Sequence, residues 1–327
     1  MNKQIISLVG FATLLSMLQG CAPSVYAVDR PEPSAYVFTP GEATDASQLN
    51  FVDARADAYT TFSSGALPMG LTFEGESLKP VDFLAKFTLA ELAARGISVE
   101  PGGGDAVEIR INKVVMRNYR ATGFSPFTTV TMLSADVVGS EGVNRVGAFV
   151  VRGKVPVWSF GEVIEPTLNQ PLELMVQDLA AKINMHLYQQ SVSDATVQEL
   201  IAKVNSAPDD GLAYLSVYQL GFSNNPSAVG ALIEMTKSPH EYVRCAAISS
   251  LGTINAHEQV DYLISIFRSD GTWRDRAMAV KALGDIAVMG SDQAMNFMRE
   301  SVENELAGET AAGAEWTREI LGLYLRS

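Results

Sequence analysis

Reactive residues are scarce in this chain. Among 327 residues there are two cysteines, Cys21 and Cys245, and three histidines, His186, His240 and His257. His240-Glu241 and His257-Glu258 start like the helix of a zinc protease, but Arg244 and Asp261 stand where the second histidine is required. No ligand cluster has metal spacing, so no metal or other cofactor is expected. Gly102-Gly103-Gly104 has no Lys-Ser/Thr after it and reads as a turn, not a phosphate loop. A Gly-x-Ser-x-Gly elbow is absent. The acidic pairs Glu303/Glu305 and Asp209/Asp210 sit in solvated contexts. Together these gaps argue against an enzyme. Basic residues are also in deficit, 24 against 37 acidic, for a net charge of −13. Such a surface repels phosphate backbones, which argues against nucleic-acid partners.

What is present begins at the N-terminus. Lys3 precedes an apolar run over residues 5–18, the length of a signal-peptide core and too short to span a bilayer comfortably. The run ends in Leu18-Gln19-Gly20-Cys21. This resembles the lipobox of bacterial lipoproteins, with an aliphatic residue three before the cysteine and a small one just before it. The resemblance implies removal of residues 1–20, diacylglyceryl modification of Cys21 and a fatty-acylated membrane anchor. An ordinary secretory site of the A-x-A kind is not made by Ala22. By similarity to enterobacterial lipoprotein sorting, Ala22 in place of Asp implies the outer membrane, with the chain facing the periplasm. With Cys21 lipidated, Cys245 has no disulfide partner. It falls in an apolar helical stretch, as a buried thiol does.

Residues 21–48 are rich in Pro, Ser, Ala and Asp, with Pro23, Pro31, Pro33 and Pro40. They read as an extended tether holding the folded part off the membrane. From residue 49 the pattern changes to that of an α+β domain over residues 49–190. Residues 49–55 can form a strand. Residues 80–95 are apolar at helical spacing, opened by Pro80 and stopped by Gly96. Val107, Ile109 and Ile111 alternate with polar residues, the mark of a half-buried strand. Residues 127–138 and 146–158 read as two more strands joined by Gly139-Ser140-Glu141-Gly142. Residues 171–188 form an amphipathic helix, in which His186 is expected to pack. Strand, helix, three strands, helix is an α+β order. With the lipobox, the Pro-rich segment and the helix end Ala93-Ala94-Arg95-Gly96-Ile97, it resembles the YajG-type periplasmic lipoproteins. That resemblance implies an envelope protein with no assigned enzymatic chemistry.

Residues 193–327 carry a repeat. Leu220-Gly221, Leu251-Gly252, Leu283-Gly284 and Leu321-Gly322 punctuate this third at a period of a stacked array. The ten residues ending at Gly252 align with the ten ending at Gly284. In both, an arginine (Arg244, Arg276) precedes the leucine by two helical turns. The glycine is expected to stop the helix in a left-handed conformation. A second helix follows in each unit, over residues 228–236, 260–267 and 295–302. The pattern resembles HEAT-like repeats of the PBS-lyase type, which implies an all-α solenoid and a binding scaffold. Flanking units depart from it, with Ala314 where the arginine would stand, as end caps do.

Candidate contact residues follow from this reading. Glu234, Tyr262 and Arg268 lie on second helices, for a concave partner-binding face. Trp273 and Trp316 each open a helix; they are candidate interface anchors, with packing on the adjacent repeat as the competing reading. The leading expectation is a non-enzymatic adaptor that recruits an envelope protein through the repeats. The alternative is a carrier or chaperone for lipid, glycolipid or cell-wall fragments, with an apolar pocket within residues 49–190.

Overall fold

A computed structural model describes residues 24–39, 47–67, 69–104, 106–139, 142–207, 211–307 and 312–325. The segment expected to be a signal peptide, Cys21, Ser140, Glu141, Asp209 and Asp210 lie outside the described residues. The architecture is an α+β layer followed by an all-α array.

The centre is a mixed sheet. Three long strands, β7 (Val107–Tyr119), β8 (Phe127–Gly139) and β9 (Gly142–Lys154), run antiparallel. β2 (Gln48–Asp53) lies parallel to β7, with the two-residue β6 (Glu100–Pro101) outside it. β3 (Ser63–Gly65) pairs with the far end of β7. A smaller sheet joins β1 (Ser24–Ala27), β4 (Met69–Phe73) and β5 (Glu76–Ser77). α1 (Pro80–Ala94) has its proline in the first turn, where the missing N–H costs nothing, and Gly96 follows at φ +87°. After β9, the short α2 (Gly161–Ile164) and a π-helical turn lead into α3 (Gln170–Leu187).

The array starts at once. α4 (Asp194–Asn205) is capped by Ser193. The first helices of successive units are α5 (Ala213–Phe222), α7 (Glu241–Thr253) and α9 (Trp273–Val288). The second helices are α6 (Val229–Met235), α8 (Val260–Arg268) and α10 (Asp292–Asn296), the last continued by a π-helical stretch into α11 (Glu303–Glu305). α12 (Ala312–Tyr324) closes the first row.

The array is packed on the sheet. Register puts Lys113, Ser134 and Gly147 on one face. All three meet α12: Lys113 pairs with Glu319 at 2.6 Å, Ser134 Oγ donates to Leu323 O, and Tyr324 covers Gly147. Thr129, on the opposite face, donates to Thr167 O just before α3. β8 therefore has helices on both sides and is buried from Phe127 to Val137.

Three expectations change. Residues 24–39 are not a tether: β1 pairs with β4, Val28, Pro31 and Phe38 are buried, and Phe38 N–H donates to Arg95 O at 2.9 Å. Prolines bar a regular ladder there but leave apolar side chains free to pack. The last strand ends at Lys154, so residues 155–158 leave the sheet. The Leu-Gly glycines do not stop helices. Left-handed residues come later, at Asn224, Asn255 and Gly290. Each glycine is instead a crossing point. A Cβ on Gly221 would meet Ser250 at 2.5 Å, one on Gly252 would meet Ala282 at 2.5 Å, and one on Gly284 would meet Tyr324 at 2.4 Å. Every unit thus presents its glycine to the next first helix. Gly322, in the last, has nothing within 4 Å.

Candidate interaction surface

The two rows of the array have different neighbours. First helices pack on each other, on α3 and on the sheet, whereas second helices pack on first helices. The second row is accordingly the open side. α6 buries Leu232, and α8 buries Val260, Leu263 and Phe267, one apolar stripe each.

Glu234, Tyr262 and Arg268 all stand on this row. Glu234 is exposed and pairs with Lys237 at 2.7 Å. The Tyr262 hydroxyl lies 2.5 Å from Thr236 Oγ1, tying α8 to the end of α6. Arg268 grips Glu305 with both Nε and Nη2, tying α8 to α11. Gln293 of α10 donates to Asp261 of α8 at 2.6 Å within the same row. The structure therefore brings these polar groups onto one continuous face. Trp273 and Trp316 lie elsewhere, at the starts of first helices α9 and α12. Trp273 packs where a Cβ on Gly313 would touch it at 2.4 Å, and Trp316 stacks on Tyr119 of β7.

Behind the open row lies a charged seam that sequence reasoning missed. Asp178 and Lys182 of α3 meet Lys281 and Asp285 of α9. Lys182 is 3.0 Å from Asp178 and 2.8 Å from Asp285; Lys281 is 2.9 Å from Asp285 and 3.5 Å from Asp178. All four are buried. Thr253 of α7 donates to Asp178, and the Tyr324 hydroxyl of α12 lies 2.8 Å from Asp285. Burial raises the Asp178 carboxyl, but Lys182 and Lys281 outweigh it and hold it below the ordinary range. Burial lowers the Lys281 ammonium, and the two carboxylates more than reverse that. For Lys182 burial wins, and its value falls. The signal was there: Asp178/Lys182 and Lys281/Asp285 are i,i+4 pairs set among apolar residues, which a solvated face would not require.

The seam also closes the sheet. β9 is the edge strand, and its carbonyl at Gly147 accepts from Lys182 and lies 3.2 Å from the Tyr324 hydroxyl. Gly153 N–H donates to the Tyr242 hydroxyl of α7 at 2.9 Å. Arg152 lies between the Tyr214 and Tyr242 rings, about 4 Å from each. An open edge is an invitation to pair with another chain, and this one is covered. A second buried knot, Arg95, bonds Glu91 at 2.6 Å, Phe222 O at 3.1 Å and Gln177 O at 3.4 Å. It joins α1, α3 and α5.

The chemistry of the remaining candidates is quiet. Burial pushes the Cys245 thiol well up, with Asp275 adding to it. Burial pushes His186 down to about 4, so its ring is neutral at neutral pH. His240 and His257 are exposed, and no cluster of metal-binding side chains occurs among the described residues. Cavities of about 400 Å³ open at the rim of the array, one lined by Tyr36, Glu173, Leu200 and Gln219, another by Tyr214, Met235, His240 and Tyr242. The first takes Glu173 and Gln177 from α3, and the rest of both linings lies outside residues 49–190.

Comparison with known proteins agrees with the geometry. A model of HEAT repeats matches residues 197–284, from α4 to the last Leu-Gly crossing of α9. This part of the chain is similar to HEAT repeats, modules that present extended surfaces for protein–protein contact. No curated protein matches the chain.

Proposed function

We infer that the protein is a membrane-anchored envelope lipoprotein that acts as a non-enzymatic scaffold, binding a protein partner through the second helices of its array. One observation carries the reading: the first row is covered by the protein's own α+β layer, α9 and α12 by the sheet and α5 and α7 by α3, which leaves the second row as the array's free face. The lipobox at Cys21 supports anchoring, and the α+β order supports the likeness to YajG-type lipoproteins. The outer membrane is the proposed location, on the strength of Ala22.

Truncation before Asp194 is a poor test, because it uncovers the β9 edge and the buried charges of α3. Site-specific photo-crosslinkers at Glu234, Ser265 and Gln293 in the lipidated protein in cells are a better one. Capture of one envelope protein from these positions, abolished by Arg268→Glu, is the expected result. Capture that persists in Arg268→Glu, or that arises equally from α1 positions, would remove the outer row from consideration. The carrier reading predicts instead co-purified lipid and indifference to Arg268.

A further inference from the structure

Exposed apolar side chains are not spread evenly over the molecule. Of nine large exposed hydrophobic residues among those described, six stand at one end of the main sheet: Val25, Leu67, Phe124, Val155, Val157 and Trp158. The registers put them there. Tyr119 opposes Thr128 and Phe127 opposes Lys154, so the β7–β8 turn and the exit of β9 lie side by side. Leu67 N–H donates to Asn118 Oδ1 at the same end of β7. β1 joins them: Tyr26 meets Phe160 at 5.1 Å, and Phe160 meets Phe127 at 5.0 Å.

At the loop tips Phe124 is 95% and Trp158 92% exposed, with Val157 at 68%. The loops are nonetheless built. The Glu162 carboxylate accepts the N–H groups of Val157, Trp158 and Ser159 at 2.8–3.0 Å. The Arg120 guanidinium donates to the carbonyls of Gly123 and Ser125. Held this way, the rings point out by construction, and such a gathering of apolar tips marks a contact surface. Residues 63–67, 120–126 and 153–160 contain Arg120 and Lys154 and no acidic residue, and the one carboxylate on these loop tips, Glu162, is engaged by three backbone N–H groups and faces Lys154, so the tips carry a slight positive excess in a protein of net charge −13.

The first described residues lie at this same end. β1 begins at Ser24, paired with Met69, three residues after Cys21. Three residues reach at most about 11 Å.

We propose that this end of the sheet is a second membrane contact: Phe124, Val157 and Trp158 enter the headgroup region of an anionic bilayer while Arg120 and Lys154 face its phosphates. The proposal rests on the reading of Cys21 as lipidated. Aromatic rings favour the membrane–water boundary, and basic side chains favour an anionic leaflet. A patch this small binds weakly by itself, but an anchor within a few residues makes its insertion effectively intramolecular. The strands then stand on the membrane. α12 runs away from it, from Trp316 beside Tyr119 to Tyr324 beside Gly147.

The test uses the lipidated full chain in phosphatidylethanolamine–phosphatidylglycerol vesicles with and without brominated acyl chains. Brominated lipid should quench a component of tryptophan emission that Trp158→Phe lacks, because Trp273 and Trp316 are packed against the protein. Equal quenching in both proteins, or none, overturns the proposal. Self-association without quenching, lost in a Phe124→Ser/Trp158→Ser double variant, overturns it in favour of a second copy. The intact mass of the same preparation reports on the anchor separately, and an acyl-free Cys21 defeats the lipoprotein reading alone. The unlipidated Cys21→Ser chain then decides the patch: vesicle partitioning should fall at least about tenfold in the double variant, and an unchanged value overturns the contact.

Discussion

The first and second rows of the array are built from the same repeat, yet they carry their polar residues in opposite ways. α8 is amphipathic: Val260, Leu263 and Phe267 face inward, and Asp261, Ser265 and Arg268 face solvent. α9 has no solvent side from Ala277 to Ala287, and Lys281 and Asp285 are buried with the rest. A solenoid helix ordinarily has neighbours along its stack and water elsewhere. The first row here has neighbours along the stack and a sheet behind it. The difference teaches that a repeat pattern specifies how units stack but not what the stack leans on.

The largest expected effect comes from the seam. Lys281→Met leaves Asp178 and Asp285 sharing one cation in a buried site, which should cost about 3–5 kcal/mol. Urea unfolding measures it, and a loss under about 1 kcal/mol would mean that the seam is open to water. Next is a pair of substitutions at equivalent repeat positions. Gly284→Ala drives a methyl into Tyr324 and should cost about 1–3 kcal/mol. Gly322→Ala meets nothing and should be neutral or gain up to about 1 kcal/mol of helix propensity. Equal effects would break the crossing-point account of the Leu-Gly pairs.

A smaller effect is tied to pH. Burial, with Lys182 adding to it and Asp285 opposing, keeps the His186 value at about 4 in the folded chain. Between about 6.5 and 4 the unfolded chain binds the proton and the folded chain does not. Stability is therefore lost as pH is lowered through that window, at up to about 1.4 kcal/mol per unit from this residue. His186→Gln should flatten that slope, and an unchanged slope would assign the acid sensitivity to other groups. The smallest structural effect is on the open row. Arg268→Glu should change stability by less than about 0.5 kcal/mol while removing partner capture.

Much of this was legible in the sequence, for identifiable reasons. Period-two alternation at Val107, Ile109 and Ile111 gave β7. Pro80 and Gly96 bracketed α1, and the repeated Arg-to-Leu-Gly spacing found the array and its two helix rows. The second row was readable because one of its faces meets water. What stayed hidden depends on long-range contact. Residues 24–39 look like linker because prolines hide their docking. Lys281 and Asp285 carry a local sign of burial in their i,i+4 spacing among apolar residues, but their partners on α3, distant in sequence, are visible only in the fold. The glycines looked like caps because a Leu-Gly pair near a helix end has the same local signature as a crossing point. Glu234, Tyr262 and Arg268 were recognisable as second-helix residues, although the tie from Tyr262 to Thr236 was not, and the neighbours of Trp273 and Trp316 are visible only once α9 and α12 are seen against Gly313 and β7.

Joined through the seam and the β9 edge, the α+β layer and the first row of the array should unfold as one cooperative body. Native-state hydrogen exchange of the full chain in rising urea tests it most directly. The expected result is that amides of β9 and of α9 converge on one opening free energy, and that Lys281→Met lowers both together. Exchange of α9 through an opening that leaves β9 protected, with Lys281→Met affecting only one of them, would contradict it.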